Sequence, residues 1–508
     1  MTRGFDNESY LEQQSRYIIE RAKHFSKLYL EFGGKLMHDY HAARVLPGYD
    51  SNVKIKLLER IKDSIDIIIC VYAGDIETRK MRGDFGISYD ADVLKLIDDL
   101  RAAIGERVPA AVVVTRFDEQ PVVKQFVNHL EGRGVKVHLH KAIAGYPTDI
   151  DTVVSDAGYG ANSFIDTGKP IVVVSGPGPN SGKMATCLSQ CYHEHKRGVS
   201  AGYAKFETFP IWNLPLKHPV NLAYESATAD LGDFNQVDPF HLEARGVVAT
   251  NYNRDIESFP ILRRVMARIA GTDRAAGHGC LSPTDMGVNR VGFAIIDDEA
   301  CREAAKQELV RRYLRYRCEH VMGLCGKHVV DRADLVMREI GLEPSDRRVV
   351  VPAREAAARA REKGKGHQGV HVGAAIEFLD GTIVTGSNSM LMHAASAVVL
   401  NAIKRLAGIP REIDLIAKNI VESIATLKEN TFNEQNPSMN LDETLIALGI
   451  SAATNPATAF AVERLRELKG CEMHLTHIPT SGDDAGLRRL GMNITSDPNF
   501  SSKALFID

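Results

Sequence analysis

Short apolar segments alternate with amphipathic helical segments through the first half of the chain. The apolar segments are SIDIIICVYAG, PAAVVVTRF, VKVHLHK, PIVVVSG and GVSAGYAKF. Between them lie segments with the spacing of amphipathic helices, such as ADVLKLIDDLRAAIG and PVVKQFVNHLEGRG. Buried strands that alternate with helices are typical of a parallel sheet covered on both faces. The sequence therefore predicts an α/β fold built on such a sheet.

The chain is long enough for several domains. Its 508 residues exceed the size at which a single hydrophobic core stops growing. The alternation predicts an N-terminal α/β domain over residues 1–254, and helical patterns then dominate residues 255–345. The last block, residues 346–508, contains GVHVGAAIEFLDGTIVTG, whose two alternating halves flank Asp380-Gly381 and predict a β-hairpin. We therefore expect a helical middle domain and a C-terminal α/β domain.

The composition is that of a globular protein with little excess charge. The formal net charge is −3 and the sequence pI is about 6.7, which favours neither a nucleic-acid nor a membrane partner. The polar segment MTRGFDNESYLEQQSRYIIERAK is unlike a signal peptide, and no apolar run is long enough to cross a bilayer. The 8 cysteines never form Cys-x-x-Cys, so buried thiols are expected. These features predict a cytoplasmic protein.

The segment IVVVSGPGPNSGKMA, residues 171–185, combines a buried strand, a glycine-rich turn and Gly-Lys at a helix start. Phosphate-binding loops have this order because backbone N–H groups, a helix N-terminus and a lysine together hold the anion. Two positions depart from the G-x-x-x-x-G-K-[ST] spacing, since Pro177 occupies the first glycine position and Met184 replaces the hydroxyl residue. The predicted cradle comprises Gly176, Gly178, Asn180, Ser181, Gly182 and Lys183. A glycine-rich structural turn without a ligand remains the alternative.

A metal at this loop needs carboxylate ligands, because Met184 cannot supply the usual hydroxyl. Asp230 and Asp233, in SATADLGD, follow the next predicted strand, where parallel sheets collect ligand residues. They are the predicted Mg²⁺ ligands and candidate catalytic residues beside Lys183, with Glu207 behind them. The sequence thus predicts ATP, or a related phosphorylated ligand, together with Mg²⁺.

Three further polar segments are candidates for substrate contacts. FGGKLMHDYHAARVLPG carries Lys35 and Arg44 near a double glycine, and such a basic pair can hold an anion. KFETFPIWNLPLKHPVN carries Lys205 and Glu207 and could cover the nucleotide pocket. GDIETRKMRGDFGISYD, which includes Asp84, follows the first predicted strand and could line the site. For each segment the alternative is a charged, solvated surface.

The segment VGAAIEFLDGTIVTGSNSMLMHAASAVVLNAIKRL is similar in layout to the start of cytidine-deaminase-like domains. That resemblance implies a three-layer α/β/α fold. Deamination in that fold needs a His or Cys zinc ligand, a Glu two residues later and a later Pro-Cys-x-x-Cys. Here His393 stands at the ligand position, Ala395 replaces the Glu, and AKNIVESI after the next strand has no cysteine. We therefore expect no zinc, and we expect His393 to line a pocket of a different purpose.

Several segments together resemble one bacterial family. They are FGGKLMHDYHAARVLPG, GPGPNSGKMATCLSQCYHEHKRG, NLAYESATADLGDFN, CLSPTDMGVN and GCEMHLTHIPTSGDDAGLRRLG. The members are about as long as this chain, and the family is named only as a domain of unknown function. Some members carry the label ATP-dependent peptidase, but this chain has neither H-E-x-x-H nor G-x-S-x-G, the motifs of common peptidases and hydrolases. The resemblance therefore implies membership without implying an activity.

The glycine loop favours a nucleotide-binding enzyme that activates a small molecule by phosphoryl or nucleotidyl transfer. In this hypothesis Lys183 neutralises phosphate charge, Asp230 or Asp233 holds Mg²⁺, and the C-terminal domain supplies the second substrate's pocket. Two alternatives stay open: a sensor that binds a nucleotide or phosphorylated metabolite without turnover, and a structural homo-oligomer whose loop holds only adventitious anions. The sequence does not decide whether catalysis occurs.

Overall fold

The computed structural model describes residues 3–82, 87–106, 108–271, 280–434 and 436–502. Asp84, in one of the predicted lining segments, lies outside the described residues. The chain divides into two compact units, an N-terminal unit over residues 2–305 and a C-terminal unit from Lys306 onwards. The helices predicted as a middle domain are shared between these units, because the division falls at residue 305 and the first of these helices, residues 253–270, packs on the helix of residues 183–196 in the N-terminal unit.

The strands are β1 Lys27–Phe32, β2 Ile65–Tyr72, β3 Met81–Arg82, β4 Ile87–Ser88, β5 Ala111–Thr115, β6 Val137–Leu139, β7 Ile171–Ser175, β8 Ala201–Phe206, β9 Asn235–Val237, β10 Thr250–Tyr252, β11 Gly373–Glu377, β12 Ile383–Ser387, β13 Glu472–Leu475 and β14 Asn493–Ser496. The helices are α1 Asn7–Ala22, α2 Tyr40–Val45, α3 Val53–Arg60, α4 Ala73–Glu77, α5 Tyr89–Ile104, α6 Pro121–Gly132, α7 Ile150–Val153, α8 Lys183–Lys196, α9 Pro219–Ala227, α10 Pro239–Arg245, α11 Asn253–Ala270, α12 Pro283–Met286, α13 Asp298–Val321, α14 Lys327–Glu339, α15 Val350–Glu362, α16 Ala394–Leu406, α17 Lys418–Asn430, α18 Leu441–Ala452, α19 Pro456–Glu463 and α20 Ser481–Arg489.

The N-terminal unit is built on a six-stranded sheet with the order β6-β5-β2-β7-β1-β8, and every pair in it is parallel. This confirms the predicted parallel α/β sheet. Every residue of β5 and of β7 is buried. Strands covered on both faces read as unbroken apolar runs, which is why PAAVVVTRF and PIVVVSG predict them.

The direction in which the chain adds strands reverses after β6, so the connections that leave the neighbouring strands β2 and β7 run in opposite directions. From β1 the chain moves through β2 and β5 to β6, and it then returns to β7, between β2 and β1, before it reaches β8. Because crossovers between parallel strands are right-handed, this reversal sends the connections before and after it to opposite faces of the sheet. The helix α8 that follows β7 packs its buried thiols Cys187 and Cys191 on one face, together with α11. The reversal therefore opens a crevice at the carboxyl end of β7, where such sheets bind ligands.

The C-terminal unit holds a four-stranded sheet with the order β12-β11-β13-β14. Strand β11 is antiparallel to both of its neighbours, and β13 and β14 are parallel. The predicted hairpin is present, with Gly381 in its turn at a φ of +85°. Alternate residues of β11 pack in opposite directions, since Ala374 and Ile376 belong to the core with α16 while Ala375 packs with Ala353 of α15. Helices thus cover both faces of this sheet.

In the part of the chain that the structure describes, no helix is both long and apolar enough to span a bilayer.

Candidate functional site

The segment between β7 and α8, residues 176–182, lies at the strand-order reversal and is here called the glycine loop. At each of its three glycines a Cβ atom would lie too close to a neighbouring group. A Cβ on Gly176 would lie 2.3 Å from the carbonyl oxygen of Cys70, and one on Gly178 would lie 2.5 Å from the hydroxyl of Tyr89. Gly182 has a φ of +87°, and a Cβ there would lie 2.8 Å from Cβ of Thr115. The loop therefore packs too closely on its neighbours to tolerate side chains at these positions.

Carbonyl groups of the glycine loop are held by the neighbouring strand end. Oγ1 of Thr115, the last residue of β5, donates to the carbonyl oxygen of Ser181 at 2.9 Å. Nη2 of Arg116 donates to the carbonyl oxygen of Asn180 at 2.5 Å, and its guanidinium lies over the ring of Tyr72 at 3.4 Å. These bonds fix the loop through its acceptors. The sequence does not identify Arg116 as a site residue, because its partner is a backbone group 64 positions away.

Backbone donors of the glycine loop and the following helix start are left open. The N–H groups of Gly178, Asn180 and residues 182–185 donate no hydrogen bond to any described residue. The hydroxyl of Ser175, at the end of β7, is fully buried and also has no hydrogen-bond partner among the described residues. Unpaired donors at the N-terminus of a 14-residue helix create a positive local potential. An oxyanion would satisfy these donors.

The side chain of Lys183 is folded back into the glycine loop. Its Nζ donates to the carbonyl oxygen of Gly178 at 3.0 Å and to Oγ of Ser181 at 3.1 Å. The side chain is buried, and no carboxylate of a described residue forms an ion pair with it. The two acceptors that hold the Lys183 amine are therefore neutral groups. A phosphate oxygen is a stronger acceptor for such an amine.

A narrow cleft lies beside the glycine loop. It is lined by Gly176 and Pro177 together with Lys35, Leu36, Met37, His38, Asp92, Lys95, Leu96 and Asp99. Its volume of about 20 Å³ holds a water-sized group. Lys35 lines this cleft beside the loop, whereas Arg44, in the last turn of α2, is not among the lining residues, and the assignment of both to substrate binding stays a prediction.

Lys35 is positioned by a buried ion pair. Its carbonyl oxygen accepts a hydrogen bond from Nζ of Lys54 at 3.0 Å, and the same ammonium group lies 2.8 Å from Oδ2 of Asp39. Burial alone would raise the pKa of Asp39, but the attraction of Lys54 outweighs it and lowers this pKa. Asp39 also caps α2 by accepting the N–H of Ala42. The ion pair between Lys54 and Asp39 therefore holds the segment that follows β1 in place.

Several charged side chains cluster after β8. Nζ of Lys205 lies 2.7 Å from Oδ1 of Asp255 and 3.1 Å from Oε1 of Glu207, and Arg254 lies 3.4 Å from Asp233. Burial raises the pKa of Glu207 and the pKa of Asp233. The structure therefore brings together three predicted residues, Lys205, Glu207 and Asp233. The sequence does not identify the partners Arg254 and Asp255, which lie at the start of α11. The position of a helix in the sequence does not show which end of the sheet its first residues approach.

The two predicted metal ligands differ in their surroundings. Asp233 is buried and faces Arg254, whereas Asp230 is exposed on the adjacent turn. Within the described ranges no group of three or more His, Cys, Asp or Glu side chains has the arrangement of a metal site. A Mg²⁺ ion held partly by phosphate oxygens needs only one or two protein carboxylates. The assignment of Asp230 and Asp233 to Mg²⁺ stays a prediction.

His393, the remaining predicted site residue, lies in the C-terminal unit directly before α16. Its Nδ1 is 2.7 Å from Oδ2 of Asp483, and its Nε2 is 3.1 Å from Nδ2 of Asn436. Thr480 caps α20 by accepting the N–H of Asp483. The contact with His393 has no sequence signal, because 90 positions separate the two residues.

Comparison with protein families gives two adjoining matches. The model described as "Domain of unknown function DUF1846, N-terminal" matches residues 3–341, and the model described as "Domain of unknown function DUF1846, C-terminal" matches residues 345–506. A UPF0371 protein of Clostridium botulinum strain Alaska E43 is 55% identical over 503 residues, covering 99% of both chains. A UPF0371 protein of strain Langeland is 54% identical with the same coverage. The chain therefore belongs to the DUF1846 family, as its motifs predict.

Proposed function

We propose that the N-terminal unit binds a phosphorylated ligand of the nucleotide class, with ATP as the first candidate, on the glycine loop. The observation that carries this proposal is the set of open N–H groups around Lys183, whose ammonium has no carboxylate partner among the described residues. Most of these donors lie on exposed or part-exposed residues, and the lysine amine is held only by neutral acceptors, so an oxyanion that reaches the loop could satisfy both at once. The position of the loop at the strand-order reversal supports the same interpretation.

The reaction that fits this site best is transfer of a phosphoryl or nucleotidyl group to a small molecule. Such transfers depend on positioning and charge neutralisation more than on covalent chemistry. Lys183 would leave Gly178 and Ser181 to contact the phosphates. Asp233 or Asp230 would hold Mg²⁺, and Lys205 with Glu207 would contact the second substrate. In this view the glycine loop is a P-loop-like turn of nonstandard spacing.

We also propose that the C-terminal unit has a cytidine-deaminase-like fold. A first strand antiparallel to both neighbours, a parallel pair beside it and helices on both faces support that likeness. His393 takes the position of the zinc ligand, but its Nδ1 faces Asp483. A function other than zinc-dependent deamination is therefore proposed for this unit.

Binding is tested by thermal shift and calorimetry with ATP, GTP, their diphosphates and inorganic phosphate, each with and without Mg²⁺. A ligand at about 100 times its Kd should stabilise the protein by roughly 2.7 kcal/mol. Lys183→Met should remove this stabilisation. Lys196→Met is the matched control, because Lys196 lies on the same helix but is exposed and pairs with Asp156. Equal ligand affinity in the wild type and Lys183→Met contradicts the proposal, as does the absence of any shift.

A sensor without turnover is the second candidate function. Met184 leaves the helix start without the hydroxyl that usually holds Mg²⁺, and Arg254 already neutralises Asp233. Turnover measured on the best ligand separates the two functions. Release of phosphate or pyrophosphate that depends on Mg²⁺ supports the enzyme, whereas tight binding without release supports the sensor.

A further inference from the structure

The carboxylate of Asp483 is rigidly held in the C-terminal unit. It is 5% exposed, and its Oδ1 accepts the backbone N–H of Leu441 at 2.9 Å. Its Oδ2 accepts the hydroxyl of Thr480 at 3.0 Å and faces Nδ1 of His393 at 2.7 Å. A carboxyl group that accepts this many hydrogen bonds cannot reorient. The imidazole of His393 is therefore held in one orientation by a fixed carboxyl group.

The same contact sets the tautomer of His393. Both oxygens of Asp483 act as acceptors and the amide of Asn436 faces Nε2, so the hydrogen-bond pattern assigns the proton to Nδ1 and a lone pair to Nε2. Nδ2 of Asn436 lies 3.1 Å from Nε2 and donates to it. Asn436 is exposed, so an incoming O–H group can replace its amide. This arrangement of a base, an orienting carboxylate and a displaceable donor is that of a general base.

Neighbouring serines do not present a nucleophile to His393. Oγ of Ser438 donates towards the carbonyl oxygens of Ser389 and Met390, at 3.2 and 3.1 Å. Oγ of Ser389 accepts the N–H groups of Leu391 and Met392. The O–H group that suits Nε2 is therefore that of a water molecule.

Open backbone donors follow His393 along the chain. The N–H groups of Ala394, Ala395 and Ser396, in the first turn of α16, donate no hydrogen bond to any described residue, and all three residues are at most 2% exposed. His393 immediately precedes them and does not cap the helix with its side chain. Buried N–H groups at a helix start are suited to an oxyanion that forms during a reaction.

We propose that this site of the C-terminal unit hydrolyses a small carboxylic ester without a metal. A water oxygen attacks the carbonyl carbon while its proton passes to Nε2 of His393, and the carbonyl oxygen becomes an oxyanion near the open N–H groups. The bond to the leaving oxygen then breaks, and that oxygen takes the proton from Nε2. The products are a carboxylic acid and an alcohol. Asp483 is a positioning residue, since it acts through His393. The proposal does not depend on the glycine loop.

The probe for this activity is p-nitrophenyl acetate, with release of nitrophenolate as the readout. The wild type should release it faster than buffer alone, and His393→Gln should reduce the protein-dependent rate by about 100-fold, as expected for loss of a general base. His129→Gln is the control for nonspecific hydrolysis, because His129 is an exposed histidine on α6 and its loss should change nothing. A wild-type rate equal to that of buffer, or an unchanged rate in His393→Gln, overturns the proposal.

Two further variants separate catalysis from structure. Asn436→Ala removes the amide that faces Nε2 and also the Oδ1 that accepts the N–H of Ser438, so it should lower the melting temperature only slightly and speed up release by freeing Nε2. A slower or unchanged rate in this variant contradicts the proposed role of Nε2. Asp483→Asn should slow release and abolish the Nδ1–H signal of His393 in ¹⁵N NMR of histidine-labelled protein. An unaltered tautomer in Asp483→Asn refutes the role given to Asp483.

Discussion

Replacing Gly182 with alanine tests whether the glycine loop is shaped by its contact with β5. Gly182 has a φ of +87°, and the new Cβ would lie 2.7 Å from Cγ2 and 2.8 Å from Cβ of Thr115. The left-handed backbone costs an L-residue about 1–2 kcal/mol. Overpacking against the rigid Thr115 adds about 1–3 kcal/mol. We therefore expect Gly182→Ala to lower the free energy of unfolding of the N-terminal unit by about 2–5 kcal/mol.

Gly246→Ala is the matched control for Gly182→Ala. Gly246 lies in the same unit at a φ of +67°, and a Cβ there would have nothing within 4 Å. This control should show the backbone cost alone, about 1–2 kcal/mol. The difference between the two variants isolates the contact with Thr115.

Urea unfolding followed by tryptophan fluorescence measures both variants. Trp212 is the single tryptophan of the chain, and it lies in the N-terminal unit with its Nε1 donating to the carbonyl oxygen of Asn289 at 3.2 Å. Its transition therefore reports the unit that contains both glycines, and the shift in midpoint at constant slope gives the change in stability. Equal destabilisation by Gly182→Ala and Gly246→Ala would refute the argument, because the contact with Thr115 would then contribute nothing.

Two further predictions concern charges. Lys54→Met should destabilise the N-terminal unit by about 3–5 kcal/mol, because it leaves the carboxylate of Asp39 buried without its ion-pair partner. Adding Asp39→Leu should recover most of this loss, except for the part that Asp39 contributes as the cap of α2. A double variant that is as unstable as Lys54→Met, measured by Trp212 fluorescence, would contradict this prediction. Burial would raise the pKa of Asp497, but His474, whose Nε2 lies 3.5 Å from Oδ1, and two hydrogen bonds from Arg354 outweigh it and lower this pKa to about 2. Because the folded value lies below the unfolded one, the stabilisation of about 1–2 kcal/mol is present above pH about 4 and lost as pH falls towards 2. The melting temperatures of the wild type and Asp497→Asn, followed by circular dichroism, should therefore converge as the pH is lowered, and a constant gap would contradict the assignment.

The parallel sheet was predictable because its signal is local. Residues 171–175 of β7 are all buried and all apolar except the last. A continuous apolar run of this kind predicts a strand that is covered on both faces. The hairpin of β11 and β12 is equally local, since Asp380-Gly381 between two alternating segments defines the turn. The glycine loop belongs to the same class, because strand, turn and helix start follow one another along the chain.

The composition of the candidate sites was less predictable, because their side chains meet across long sequence separations. The interaction of Lys205 with Asp255 spans 50 positions, and that of His393 with Asp483 spans 90. Either Asp is equally compatible with a helix start, where carboxylates are common for reasons of capping and charge. Residue type therefore indicates the candidates, while the path of the chain decides which of them meet.

The glycine loop departs from the consensus sequence of a phosphate-binding loop, yet it has the same order of strand, glycine-rich turn and helix start. What binds a phosphate is a set of N–H groups that share no internal acceptor, and proline has no N–H. Pro177 and Pro179 therefore remove donors from the first half of the loop, and the open N–H groups begin at Gly178 and continue with interruptions into α8. An anion on this loop would sit closer to the helix start than the usual spacing places it. That shift brings it nearer to Lys183, so the lysine should contribute more to affinity here than the hydroxyl that Met184 replaces.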